Sequence, residues 1–496
     1  MSKHTKLINE AETRVQRAKE KMDGTYRLAY HIMTPINWMN DPNGLIHWNG
    51  EYHVFYQFHP DSPKWGPMHW GHVKSKDLVH WERAPIALAP SEWYDEGGCF
   101  SGSAVNNNGV LTLIYTGNVW LNEEQTELKQ YQCIATSKDG IHFEKDPKNP
   151  VLSEPPFDCQ GHIRDPKVWK RGDDWYMVLG TREGNNGKVV LYKSKDLRHW
   201  EYVNILAESD GRLGYMWECP DVFHLNGKDI LLFSPQGIEP EGDRFQNLHQ
   251  TGYVVGTLDY ETGKLAHGAF EELDKGFDFY AAQTFEDEPG RRILFGWMDM
   301  WESQMPTQQH GWAGALTIPR LLELADDEKL LMKPVPELQL LREEHMRLES
   351  ISVNEGTYAL PMKGDRLELL VRFSLGDFHG NAFGVKVRCS EDGSEETVFR
   401  YDVKDCMMTF DRNRSGKGEG GTRRAVLDGQ LGDVITFHFF IDRSSVELFV
   451  NGGRLVMTGR IYPSETSQRI KLFAEGGKLT VLSVEAWTLQ DIWGEE

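Results

Sequence analysis

From about residue 30 to residue 320, short apolar runs rich in aromatic and β-branched residues alternate with turns built on Gly, Asn and Asp. DPNGLIHWNGEYHVFYQ from Asp41, DPKVWKRGDDWYMVLGT from Asp165 and CPDVFHLNGKDILLFSP from Cys219 share one pattern. Each is a short strand, a Gly-containing turn and a β-rich strand. FSGSAVNNNGVLTLIYTG from Phe100 and YAAQTFEDEPGRRILFGW from Tyr280 are degenerate copies. A second element recurs at roughly sixty-residue spacing: SKDLVHWE at Ser75, SKDGIHFE at Ser137 and SKDLRHWE at Ser194. It reads as a blade turn. Five small antiparallel units repeated in series predict a five-bladed β-propeller over 30–320.

The flanks differ in pattern. Leu7, Ala11, Val15 and Ala18 lie about one turn apart, which predicts a surface helix over Leu7–Met22 within an N-terminal extension, 1–29. Residues 321–350, LLELADDEKLLMKPVPELQLLREEHMRLES, are charged and helically spaced, with Pro334 and Pro336 inside, and read as a connector. Over 351–496, strands such as RLELLVRFSL and DVITFHFFIDRSSVELFVNGG return, with a turn signal at Asn451 and Gly452. This stretch predicts a β-sandwich. The expected fold class is all-β: a propeller, then a C-terminal sandwich, with a short N-terminal helix.

A formal charge of −21 repels phosphate backbones, and no run of Lys and Arg offers a local exception, so nucleic acid is not an expected partner. The N-terminus lacks the apolar core of a signal peptide, and no later stretch is long enough to span a bilayer. A cytoplasmic protein without membrane association is expected. The six Cys are scattered without a CxxC pair, and no His/Cys cluster has zinc spacing. Neither a metal nor a cofactor is implied. His69, His72 and His80 read as structural.

In a propeller the innermost strand of each blade lines the central channel. NDP, RDP and ECP occupy the same point of three blades, so Asp41, Asp165 and Glu218 are expected to converge at one mouth. A lone Asp-Pro is an ordinary turn starter; three carboxylates in register are not, because like charges brought together must be used or must share a proton. Glycoside hydrolysis uses such a set, with one carboxylate as nucleophile and another as acid and then base. The pattern alone leaves a catalytic propeller and a carbohydrate-binding propeller equally open. Glu218, between Trp217 and Cys219, has the least polar neighbours and is expected to be the acid with a raised pKa. Asp41, among Asn40, Asn43 and turn amides, is expected to stay ionised, presented by a Pro42-Asn43-Gly44 turn. Arg164 would hold Asp165 charged or bind substrate.

At these residues the chain resembles glycoside hydrolase family 32, the invertases and fructan hydrolases. WMNDPNG at Trp38–Gly44 resembles the family's nucleophile motif. FSGSA at Phe100–Ala104, RDP at Arg164–Pro166 and ECPD at Glu218–Asp221 match three further signatures in the family's order. The resemblance implies a retaining mechanism on a β-linked fructosyl unit: Asp41 attacks C2, Glu218 protonates the leaving oxygen and then activates water, and Asp165 holds fructose hydroxyls. It places Trp38, Asn40, Gln57, Trp65, Phe100, Ser101, Arg164, Tyr280 and Trp301 in sugar-binding roles. DRSSVELF at Asp442–Phe449 also resembles a family motif and is assigned a structural role.

The implied substrate is a small sugar, sucrose or sucrose 6-phosphate. A fructooligosaccharide hydrolase, or a fructosyl transferase in which a sugar hydroxyl replaces water, is the enzymatic alternative. No Lys/Arg cluster in the sequence marks a phosphate site. Either a monomer or a homodimer is compatible with the chain.

Overall fold

A computed structural model describes residues 2–376, 378–429 and 432–494. Five antiparallel sheets, each of four or five strands, follow one another from residue 37 to residue 334. Their first strands are Asn37–Trp48, Gly98–Asn107, Ile163–Arg171, Met216–Leu225 and Tyr280–Glu286. Each touches the first strand of the next sheet, and the fifth touches the first, so the five form a closed ring around the propeller axis. Closure is laced by a short strand, Trp312–Ala313, that pairs in parallel with Asn37 and Trp38.

The three SKD repeats are one device used three times. Asp77 Oδ1 accepts the backbone N–H groups of Val79 at 3.1 Å and His80 at 2.8 Å, while Oδ2 holds His80 Nδ1 at 2.8 Å. Asp139 does the same for Ile141 and His142, and Asp196 for Arg198 and His199. Each turn joins the third and fourth strands of its blade, and the Asp side chain replaces the ladder bonds the turn lacks.

The helix runs over Lys3–Lys19, ending before the expected Met22, with Ser2 Oγ capping Thr5 N at 3.1 Å. Ala11 and Val15 bury its apolar face on the fourth strand of the first blade. The expected connector over 321–350 is not helical. Arg320–Leu324 and Leu330–Pro334 form a hairpin that completes the fifth blade. Leu322, Leu324, Leu330 and Met332 are buried while Leu321, Glu323 and Leu331 are not, which is a period of two. A single 3-10 turn, Pro336–Leu341, then leads into Arg342–Val353, already an edge strand of the sandwich. The sandwich therefore begins before residue 351. Its two six-stranded sheets enclose a core that includes Phe373, Phe383, Phe399, Phe437 and Phe439.

Candidate active site

Every innermost strand carries a bulge at its channel-mouth end. The register slips between Met39 and Pro42, between Phe100 and Gly102, at Asp165 and Pro166, between Glu218 and Asp221, and between Tyr280 and Gln283. Three of these bulges contain a proline, which has no N–H to give to a ladder and so fits where pairing is interrupted. Asp165, Cys219 and Ala281 take left-handed backbone there, with φ of 63°, 48° and 51°. A bulge re-aims side chains and raises local twist. The turn expected at Pro42-Asn43-Gly44 is thus a bulge inside one continuous strand, Asn37–Trp48. Gly44 is required there: at φ 54°, a Cβ would meet the Phe55 ring at 2.7 Å and Trp70 at 2.9 Å.

The bulges bring the three carboxylates together. Asp41 Oδ2 accepts from Ser101 Oγ at 2.6 Å, and Oδ1 from Asn40 Nδ2 at 2.9 Å. Trp38 Nε1 donates to Asn40 Oδ1 at 2.8 Å and fixes that amide. Asp165 Oδ2 accepts from Cys219 N at 2.9 Å, and Thr116 Oγ1 accepts from Asp165 N at 3.0 Å. The Cys219 thiol lies between the two acids, 3.6 Å from Asp41 Oδ2 and 3.7 Å from Asp165 Oδ2. Glu218 Oε1 receives both Nε and Nη2 of Arg164, at 3.0 and 2.6 Å. Its Oε2 accepts from Tyr280 Oη at 2.6 Å and Gln236 Nε2 at 2.9 Å.

These contacts reverse the expected proton order. Burial pushes Glu218 up, but the Arg164 charge and the Tyr280 hydroxyl outweigh it and hold the carboxyl below its ordinary value. Burial lifts Asp41 above the ordinary range, with the Glu218 charge adding to it. Asp165 is pushed up to about 7, chiefly by burial and then by Glu218 and Asp41, against the pull of Arg164. In the unliganded site the shared proton therefore favours the aspartates. Local hydrophobicity around Glu218 suggested the opposite because it carries no information about an arginine from the neighbouring blade.

The remaining expected residues divide into three groups. Arg164, Tyr280, Ser101 and Asn40 touch Glu218 or Asp41. Trp38 stacks on Trp301 at 5.9 Å, and Trp65 meets Phe100 edge-on at 6.1 Å. Trp65 is the most open of them, 36% exposed. Gln57 is buried behind the site, donating to Cys99 O at 3.0 Å.

Sequence reasoning missed Gln236, the Cys219 thiol and Thr116. Gln236 pairs across from Met216 and ends the second strand of its blade, while Gln57, already named from its motif, lies near the end of the second strand of the first blade. The register from motif to facing strand points to Gln236 in the same way. Among the described residues no three His, Cys, Asp or Glu are placed to hold an ion.

The model of the Glycosyl hydrolases family 32 N-terminal domain matches residues 31–334, and that of the family 32 C-terminal domain matches 337–488. A sucrose-6-phosphate hydrolase of Zymomonas mobilis is 42% identical, covering 98% of this chain and 96% of the relative. A raffinose invertase of Escherichia coli is 40% identical over 97% of this chain and 98% of its own. Among solved structures, a Bombyx mori beta-fructofuranosidase mutant in complex with sucrose superposes with a TM-score of 0.86 at 38% identity, covering 98% of this chain and 99% of that one. With both domain models matched in order across the propeller and the sandwich, the chain belongs to glycosyl hydrolase family 32.

Proposed function

We propose that the protein is a retaining β-fructofuranosidase that hydrolyses sucrose or sucrose 6-phosphate, with Asp41 as nucleophile, Glu218 as acid and base, and Asp165 as the group that holds fructose hydroxyls. A glycosidase of this family is an enzyme, which sets aside the silent sugar-binding propeller. The observation that carries the residue roles is the ring of bulges, which aims three carboxylates from three blades at one channel mouth.

The geometry supports each role. Asp41 Oδ2 receives only a neutral hydroxyl and a thiol, so its lone pairs are not tied up by a cation and can form a bond to C2. As that bond forms, the C2–O bond to the leaving sugar breaks and the leaving oxygen takes a proton from Glu218. Glu218 then removes a proton from water, the hydroxide adds to C2, and Asp41 is released. The cycle needs a proton on Glu218 and none on Asp41. On this reading the proton passes to Glu218 when substrate binds, as it would if the Arg164 and Tyr280 donors turned from the carboxylate to the sugar. Trp38, Trp65, Phe100 and Trp301 offer apolar faces to the sugar rings.

The curated relatives are named for sucrose 6-phosphate or raffinose, and a small imported sugar fits a cytoplasmic enzyme. Among the described residues, no helix is long and apolar enough to cross a membrane. Incubating purified protein with sucrose and measuring reducing sugar tests the reading. Release by the wild type and its loss in Glu218→Gln supports it; full activity in that variant rules Glu218 out as the acid.

A further inference from the structure

A cavity of about 600 Å³ opens between the second and third blades, and His162, Gln160 and Arg182 form one wall of it. His162 connects this wall to the acid. Its Nδ1 accepts from Arg164 Nη1 at 3.2 Å, and Arg164 grips Glu218 Oε1. Burial and the neighbouring Arg164 and Arg182 charges hold His162 down at about 3, so it is a neutral acceptor. The cavity thus begins one side chain beyond the arginine that binds the acid. The leaving sugar is bonded to the oxygen Glu218 protonates, so it must lie within a few bonds of this point.

The charges of the cavity are unequally satisfied. Lys129 is paired with Glu154 at 3.0 Å. Glu127 also lines the cavity and adds a negative charge. Arg182 donates Nη2 to Gln160 Oε1, a neutral amide, at 2.5 Å, while its Nε is buried with no hydrogen-bond partner. Among the described residues no carboxylate lies in ion-pair contact with Arg182. It stands in the strand Asp174–Glu183, and the preceding Thr181 Oγ1 is tied to His162 O at 2.7 Å. A half-buried guanidinium that lines the cavity and faces no carboxylate matches a planar fork awaiting an oxyanion.

Resting on the reading above, we propose that this cavity is the leaving-group subsite and that Arg182 binds the phosphate of a phosphorylated hexose there. Arg182 is then a specificity residue, not a catalytic one. The test is kcat/KM for sucrose 6-phosphate and for sucrose, in wild type, Arg182→Gln and Arg182→Lys, with inhibition by glucose 6-phosphate measured alongside. The 6-phosphate-to-sucrose ratio should fall at least tenfold in Arg182→Gln and partway in Arg182→Lys, and glucose 6-phosphate should inhibit Arg182→Gln at least tenfold more weakly. Because a ratio is read within one protein preparation, partial unfolding cancels. An unchanged ratio, or unchanged inhibition by glucose 6-phosphate, overturns the assignment of Arg182. A wild type that splits sucrose but not its 6-phosphate overturns the inference and leaves the β-fructofuranosidase reading intact. A wild type that splits neither removes both.

Discussion

At the seam between propeller and sandwich, Asp442 accepts the backbone N–H of Ala29 at 2.9 Å and His31 Nδ1 at 2.8 Å. Glu447 accepts His31 Nε2 at 2.9 Å, Ile318 N at 2.9 Å and Arg320 Nη2 at 2.6 Å. Asp278 is gripped by Arg412 and Arg460. At the channel mouth, among the described residues, Arg164 is the one cation in hydrogen-bond contact with the three carboxylates, and it binds Glu218. Both clusters are buried, yet Asp442, Glu447 and Asp278 at the seam differ in their protons from Asp41 and Asp165 at the mouth. Burial raises every one of these acids. At the seam the cations and backbone donors overcome it and hold Asp442, Glu447 and Asp278 below their ordinary values. At the mouth Asp41 and Asp165 remain raised. Where cations and backbone donors surround an acid it stays charged and serves as a joint, but Asp274 and Asp299 at the same seam remain raised, so a raised acid does not by itself mark a site.

The sharpest break of this contrast is chemical. Asp41→Asn should lower kcat by at least about 10⁴-fold, since a nucleophile and its partners act as a unit. It also removes a poorly paired buried charge, so the thermal midpoint should stay the same or rise. A midpoint that falls would show that Asp41 is held as firmly as a seam residue. Asp442→Asn is the mirror experiment. It strips a charged partner from the buried His31 and should cost about 3–5 kcal/mol. The thermal midpoint should drop, while kcat/KM measured well below that midpoint stays close to wild type. Loss of turnover in a well-folded Asp442→Asn protein would break the comparison from the other side.

The seam also predicts a pH window. His31 has its folded pKa raised to about 9 by hydrogen bonds and charge from Asp442 and Glu447, against burial, which lowers it; the unfolded value is about 6.5. Below about 6.5 both states bind the proton and the full stabilisation is present. As pH rises towards about 9 only the folded state still holds it, and the contribution is lost. Thermal midpoints should therefore decline between these values in wild type. The decline should be shallower in a His31→Gln protein, whose midpoint starts lower.

Which parts of this were legible in the sequence follows from the range of the forces involved. The blades were legible because each repeats a strand, a turn and a motif within one short segment, and the Asp of SKD makes its bonds within three residues. The hairpin of Arg320–Leu324 and Leu330–Pro334 was misread because a doubled leucine at each strand suits a helical stripe as well as an alternation. The convergence of Asp41, Asp165 and Glu218 was legible from repeat phase alone. The proton order was not. It depends on Arg164 and Tyr280 reaching Glu218 from the third and fifth blades, and no local window contains those contacts.

The smallest expected effect tests that proton order directly. With Asp165 raised to about 7, the cluster binds its shared proton below that pH and loses it above. The reaction requires one proton in the cluster, so kcat/KM should fall as pH rises through about 7. Tyr280→Phe removes the 2.6 Å donor that favours the charged form of Glu218. Losing a hydrogen bond to the charged form raises the affinity of Glu218 for a proton. Because Asp165 chiefly sets the alkaline limb, that limb should move up only slightly, with a modest loss at the plateau. A limb that moves down would show that Tyr280 does not favour the charged form of Glu218.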